Sequence, residues 1–238
     1  MGRRLIDLGN RILRNRFTSK LLFSARLTWE LAGLSEGLAM EASLRGVGSE
    51  EEFWRRGRED AQRLSRFIDS DSVVLDVGCG IGRVMRFLAP MCREIHGVDV
   101  SRSMLRIARR NLKDLSNCFL YRLDARKLDI FHDDVFDLVY SLYTLQHMEK
   151  EDAYLCLMEM YRVLKPGGTA YIQFPDLLSE HYFSLFREYA LKGCRYPARV
   201  RFYTKDEVYR ILYGCGFKLS GYTSDGENIF VAGLKEEK

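Results

Sequence analysis

Residues 73–82 read Val-Val-Leu-Asp-Val-Gly-Cys-Gly-Ile-Gly. Val73, Val74, Leu75 and Val77 form a short apolar, β-branched run, the pattern of a strand buried on both faces. Asp76 interrupts that run near its end. Gly78, Gly80 and Gly82 follow at alternate positions, and Arg83 to Leu88 read as the start of a helix. Strand, glycine turn and helix together mark the place where an open α/β sheet binds a nucleotide-like ligand. Glycine lets the backbone bend sharply and lets a ligand lie against it without meeting a Cβ. A helix start adds free N–H groups.

Outward from this stretch the chain alternates. Strands are expected near 72–77, 94–98, 118–123, 135–141 and 168–174, with helices near 82–90, 102–113, 151–163 and 204–213. Such alternation predicts a doubly wound, mostly parallel α/β sheet of about seven strands. Pro166-Gly167-Gly168 turns the fourth helix into the fifth strand. Gly216–Tyr222 and Asn228–Ala232 flank Asp225-Gly226, a hairpin signal, so the sheet should close with an antiparallel C-terminal pair.

Before the core, residues 1–57 read as a helical N-terminal extension or lid, leaving 58–238 as the core with an insertion at 176–203. At ~100° per residue, Leu5, Ile6, Leu8, Ile12, Leu13 and Phe17 share one side of a helix. Arg3, Arg4, Arg11 and Arg14 gather on the other. A second helical run is expected over roughly 20–40, and a third over 50–68 anchored by Phe53 and Trp54. The basic amphipathic segment suits either a lid packed on the core or contact with an anionic membrane surface through residues 1–45.

The chain has 238 residues, of which 47% are hydrophobic and 29% charged, with a formal charge of +4. That supplies a sizeable core and excludes broad disorder, without demanding a nucleic-acid partner. Six cysteines show no Cys-x-x-Cys pair and no zinc spacing, so no metal site is expected and a reducing cytoplasmic setting is the simpler one. No apolar run approaches the length of a membrane span.

A dinucleotide fingerprint needs Gly or Ala three residues after the second glycine of its turn. Here that position is Arg83. The spacing Asp-x-Gly-x-Gly-x-Gly instead resembles motif I of the class I S-adenosylmethionine-dependent methyltransferases. Further motifs follow in the same order. Asp99-Val100-Ser101 with Met104 ends the second strand, Asp124-Ala125 follows the third, and Phe136 to Ser141 form the fourth. Tyr161-Arg162-Val163-Leu164-Lys165-Pro166-Gly167-Gly168 closes the set. The resemblance covers roughly residues 71–175.

It implies a Rossmann-like fold and S-adenosylmethionine as cofactor, held by Asp76, Gly78, Cys79, Gly80, Gly82, Asp99, Val100, Met104, Asp124, Ala125 and Ser141. Asp99 would accept both ribose hydroxyls. Met104 would pack on the adenine face, and Asp124 would accept its amino group. Leu142 to His147 would then lie between cofactor and acceptor. His147 and Tyr143 are the candidate catalytic residues, His147 as a general base or as a group that only shapes the pocket.

The expected reaction is methyl transfer to an O or N atom of a small molecule. RNA or protein acceptors and a non-catalytic partner subunit remain open. DNA is not expected: Ser141-Leu142-Tyr143-Thr144 lacks the Asp/Asn-Pro-Pro-aromatic run of base N-methyltransferases, and no Pro-Cys pair supplies a cytosine-attacking thiolate. The insertion offers either a cover for the acceptor site or a surface helix pair with Phe183 and Phe186 in the core. Acceptor identity and oligomeric state leave no sequence signal.

Overall fold

A computed structural model describes residues 25–44, 48–196 and 198–237. The basic amphipathic segment before residue 25 lies outside these. The centre is a seven-stranded sheet in the order β3-β2-β1-β4-β5-β7-β6. Its strands are β1 (Val73–Val77), β2 (Glu94–Asp99), β3 (Cys118–Arg122), β4 (Phe136–Ser141), β5 (Leu164–Pro175), β6 (Lys218–Ser224) and β7 (Asn228–Leu234). β1 to β5 run parallel, while β7 is antiparallel to both β5 and β6. The Asp225-Gly226 turn closes the final hairpin, with Gly226 at φ +91°.

Every residue of β1 is buried. Val73, Leu75 and Val77 enter one core cluster, and Val74 enters the cluster on the opposite face. That is the period-2 alternation of a strand covered on both sides. Strand order reverses between β2-β1 and β1-β4, so loops on either side of β1 splay apart at the carboxyl ends and leave a crevice.

The flanking helices are α1 (Ala25–Ala32), α2 (Glu36–Ser43), α3 (Glu50–Ser65), α4 (Met85–Leu88), α5 (Arg102–Asn111), α6 (Lys150–Val163), α7 (Glu180–Lys192) and α8 (Lys205–Gly214). Their starts follow capping chemistry. Ser49, Ser101, Ser179 and Thr204 each accept a backbone N–H of the first turn, and Thr204 and Glu207 form a full capping box. Phe53 and Leu64 of α3 are fully buried, and Trp54 meets Phe87 edge-on. None of the described helices is long and apolar enough to cross a membrane.

Four local expectations are corrected. The helix expected over 82–90 shrinks to α4 and a 3₁₀ turn at Ala89–Met91, because Gly82 at φ +83° keeps the preceding turn out of the helical range. The second helical run is two helices, α1 and α2. Gly33 presses against α5, where a Cβ would lie 2.7 Å from Met104 N, and Ser35 starts α2 as its cap. Pro166–Gly168 lies within β5 as an irregularity: pairing steps from Phe136–Leu164 to Leu138–Thr169.

The fourth concerns the insertion, which holds one helix rather than a pair. Phe183 and Phe186 are about half exposed and stack on each other, while Tyr182, Tyr189, Cys194 and Val200 form the small core beneath. Tyr182 and Tyr189 are two helical turns apart and share the inward stripe.

Candidate active site

β1 and β2 deliver two carboxylates to the crevice. Gly78 N and Cys79 N both donate to Val98 O, at 2.8 and 3.0 Å, and tie the glycine turn to the end of β2. Gly80 sits at φ +54°, and a Cβ there would face open space with only Ser43 Oγ at 3.7 Å. The backbone is therefore bare where it meets the cleft. Asp99 at the end of β2 accepts from Gly80 N through Oδ2 at 3.0 Å and from Ser101 N through Oδ1 at 2.8 Å. Burial pushes its carboxyl up to about 6, although these amides favour the charged form.

Asp76 lies deeper and is almost fully buried. It accepts the Tyr140 hydroxyl at 2.7 Å. Burial raises its carboxyl to about 7, the Tyr140 hydrogen bond and the Arg83 charge act against the rise, and Asp99 adds to it.

Both carboxylates line a cleft of about 910 Å³, at the upper end of ligand-pocket sizes. Cys79, Val100, Met104 and Ala125 line it too. Asp124 faces it but is already engaged. Arg126 spans Asp124, with its Nη2 2.5 Å from Oδ2, and Asp152 at 2.9 Å. The hydrogen bond from Arg126 holds Asp124 below the usual carboxylate range.

Aromatic rings form another part of the cleft wall. Tyr143 holds φ +58° and donates its N–H to Gln173 Oε1 at 2.8 Å. His147 sits on a 3₁₀ turn, Leu145–His147, with Nδ1 2.8 Å from Ala198 O and Nε2 3.1 Å from Gln146 Nε2. Nδ1 can only donate to a carbonyl, which leaves Nε2 as the acceptor for the Gln146 amide. Trp29 of α1 meets the imidazole edge-on at 5.0 Å. Among the described residues no cluster of side chains could hold a metal ion.

Several known proteins similar to this chain are named as methyltransferases. A family profile described as "Methyltransferase domain" matches residues 74–168. A demethylmenaquinone methyltransferase of Tropheryma whipplei is 30% identical over 61% of this chain and 66% of its own. A sterol 4-C-methyltransferase of Caenorhabditis elegans is 31% identical over 56% of this chain and 41% of its own. The chain therefore spans less than two thirds of these relatives' length. The structure of the N-methyltransferase NodS of Bradyrhizobium japonicum with S-adenosyl-L-homocysteine superposes with a TM-score of 0.67 at 17% identity, covering 90% of this chain and all of NodS. Residues 74–168 thus match a methyltransferase domain, and the chain shares its fold with NodS.

The expected site residues divide. Asp76, Gly78, Cys79, Gly80, Asp99, Val100, Met104, Asp124, Ala125, Tyr143 and His147 all border the cleft. Gly82 and Ser141 do not. A Cβ on Gly82 would press into Leu112 at 3.0 Å, and Ser141 Oγ donates to Val77 O at 2.9 Å. Both shape the walls from behind.

The sequence reading missed Trp29, Arg83 and Tyr140 as cleft residues. Tyr140 was findable, since it lies two residues from Leu138 on one face of β4, from which its hydroxyl reaches Asp76 Oδ2 of β1. Trp29 carried no signal, because it reaches the cleft only through the docking of α1.

Proposed function

We propose that this chain transfers a methyl group from S-adenosylmethionine to a small-molecule acceptor. One observation carries the reading: Asp99 is pinned by two backbone amides beside a bare glycine turn, at the switch point of the sheet. Each of its oxygens keeps a second lone pair for a hydroxyl, the requirement for gripping a ribose edge. Asp76 sets negative charge beneath the same turn, which suits a cofactor bearing a sulfonium and an ammonium. Met104 and Ala125 give the adenine an apolar slot. Bound there, the cofactor would supply a methyl carbon already activated toward a nucleophile.

The residues here then need chiefly to align the acceptor and exclude water. Alignment alone is worth ~7–11 kcal/mol of barrier. Tyr143, His147 and Trp29 form the wall against which an acceptor would lie, and the aromatic character suits a flat or apolar one. The relatives' names, demethylmenaquinone and sterol, support a small-molecule acceptor of that kind. Oxygen or nitrogen as the acceptor atom is the sequence-based proposal. The N-methyltransferase NodS supports nitrogen, and the 4-C sterol relative supports carbon instead.

The test begins with calorimetry. S-adenosylhomocysteine should bind at micromolar levels and NAD should not. A screen of quinol, sterol and amine acceptors with methyl-labelled cofactor then reads turnover. Absence of S-adenosylhomocysteine binding, or NAD binding in its place, would overturn the reading.

A further inference from the structure

Six arginines line the cleft: Arg26, Arg83, Arg122, Arg126, Arg195 and Arg201. Four of them meet carboxylates. Arg83 pairs with Asp60 at 2.8 Å and Arg122 with Glu30 at 3.5 Å. Arg126 lies between Asp124 and Asp152, and the buried Arg201 pairs with Glu149. Arg26 and Arg195 have no carboxylate partner among the described residues, and both are exposed. Arg195 also belongs to a crowded set. Arg195, Arg199 and Arg201 fall within seven residues, and Arg199 makes no ion pair with a described residue. Burial, together with the charges of Arg201 and Arg195, lowers the Arg199 guanidinium from its ordinary value, with Glu149 opposing. Uncompensated charge of one sign around a cleft focuses a field that draws the opposite charge in.

Packing fixes where Arg26 and Arg195 stand. Arg26 lies three residues before Trp29 on α1, and residues at that spacing share a helix face. Trp29 in turn meets the His147 ring at 5.0 Å. Arg195 follows Gly193, whose φ of +61° ends α7. Its Nη1 donates to Cys194 O at 2.9 Å and to Tyr189 O at 3.5 Å, which leaves Nε and Nη2 for a ligand. The next residues are pinned to the His147 turn. Ala198 O accepts from His147 Nδ1 at 2.8 Å, and Arg201 N donates to Gln146 O at 2.7 Å. Arg26 and Arg195 therefore border the wall of Trp29, Tyr143 and His147, one from α1 and one from the insertion. Resting on the methyl-transfer reading above, we propose that these two arginines recognise an anionic group on the acceptor, a carboxylate, sulfonate or phosphate joined to an apolar or aromatic body. A guanidinium fork meets such a group with paired N–H donors. The rings take the body, and the arginines discriminate against its neutral analogues. The insertion thereby acts in acceptor selection.

The test uses two dyes that differ by one group: 1-anilinonaphthalene-8-sulfonate and N-phenyl-1-naphthylamine, which lacks the sulfonate. The chain has two tryptophans, so Trp54→Phe leaves Trp29 as the single energy donor at the wall. In that full-length parent, saturated with S-adenosylhomocysteine, the sulfonate dye should quench Trp29 by energy transfer. Arg26→Gln with Arg195→Gln should weaken the sulfonate dye ~10–100-fold, the range for hydrogen bonds to a charged group, and leave the neutral dye within about twofold. Arg187→Gln, exposed on α7 and outside the cleft, should change neither. Calorimetry should show the double variant binding S-adenosylhomocysteine as the parent does. No energy transfer from the sulfonate dye in the parent, an undiminished affinity in the double variant, or equal weakening of both dyes would overturn the assignment. So would loss of S-adenosylhomocysteine binding in the double variant, which would put the arginines on the cofactor. If S-adenosylhomocysteine fails to bind the parent, the cofactor reading falls and the acceptor assignment with it. If it binds and the dyes do not discriminate, this assignment falls alone.

Discussion

The Tyr140 hydroxyl donates to Asp76 Oδ2 at 2.7 Å inside the sheet, between the adjacent strands β4 and β1. The two residues are directly opposite in register. Their pairing leaves one carboxylate oxygen of Asp76 for the cleft and fixes its direction.

Asp76 makes stability depend on pH. Burial raises its folded pKa to about 7 from 3.8, and that of Asp99 to about 6. A raised carboxylate binds its proton more tightly in the folded state. Its contribution is fully present below the unfolded pKa and is lost as pH rises through the folded value. Thermal melts should therefore show Tm falling between about pH 4 and 7 from these two groups. Asp76→Asn should remove the upper part of that fall and leave the part due to Asp99. A variant whose melting profile matches the wild type at each pH would show that Asp76 does not titrate there.

Asp99→Ala should weaken S-adenosylhomocysteine binding by ~1.5–3 kcal/mol, the range for hydrogen bonds to a charged group. It also strips the acceptor from Gly80 N and Ser101 N, so a modest fall in Tm should accompany it. Unchanged affinity by calorimetry would take Asp99 out of the ribose site.

His147 has both ring nitrogens engaged, one on Ala198 O and one on the Gln146 amide. A base needs a free lone pair aimed at its proton. His147→Asn should thus keep kcat within about tenfold of wild type, well short of the ~10²–10⁴-fold loss of a general base. It should also keep the same pH–rate profile. Loss of an acidic limb together with a fall of that larger size would restore His147 as the base.

Glu30 ties the N-terminal helices to the core. Its carboxylate accepts from Arg102 N and Ser103 N, both at 3.0 Å, at the start of α5. Burial acts to raise its pKa, but these amides and the Ser103 and Ser101 hydroxyls bring it below the usual range. Such a group adds stability above its unfolded pKa and loses it as pH falls through the folded one. Glu30→Ala should leave the sheet folded while Trp29 becomes more open to acrylamide quenching, read in a Trp54→Phe background. The wild-type chain should show the same increase on acidification below about pH 4.5. Quenching that is identical in variant and parent would separate Trp29 from the Glu30 contact.

Much of this architecture was legible because it rests on local rules. The β-branched run at Val73–Val77 can only be a buried strand, and alternate glycines after it can only be a tight turn. Asp225-Gly226 announced the hairpin through its turn chemistry. The family resemblance, carried by motifs in fixed order, supplied the expected cofactor and eleven residues that border the cleft. Errors came where long-range contact overrides local preference. Gly33 divides α1 from α2 because α5 presses on it, and nothing nearby in sequence reports α5. Phe183 and Phe186 looked like core by composition, yet the helix turns Tyr182 and Tyr189 inward instead.

The sequence by itself determined the sheet, the glycine turn and the two carboxylates that flank it, since strand periodicity and turn chemistry act over a few residues. Only the tertiary structure decided what those groups meet. Asp76 faces Tyr140 across 64 residues of chain, His147 reaches Ala198 across 51, and Arg83 is held by Asp60 of a different helix. These contacts fix which lone pairs and protons remain for a ligand. They depend on packing between elements far apart in the chain, which no local pattern encodes.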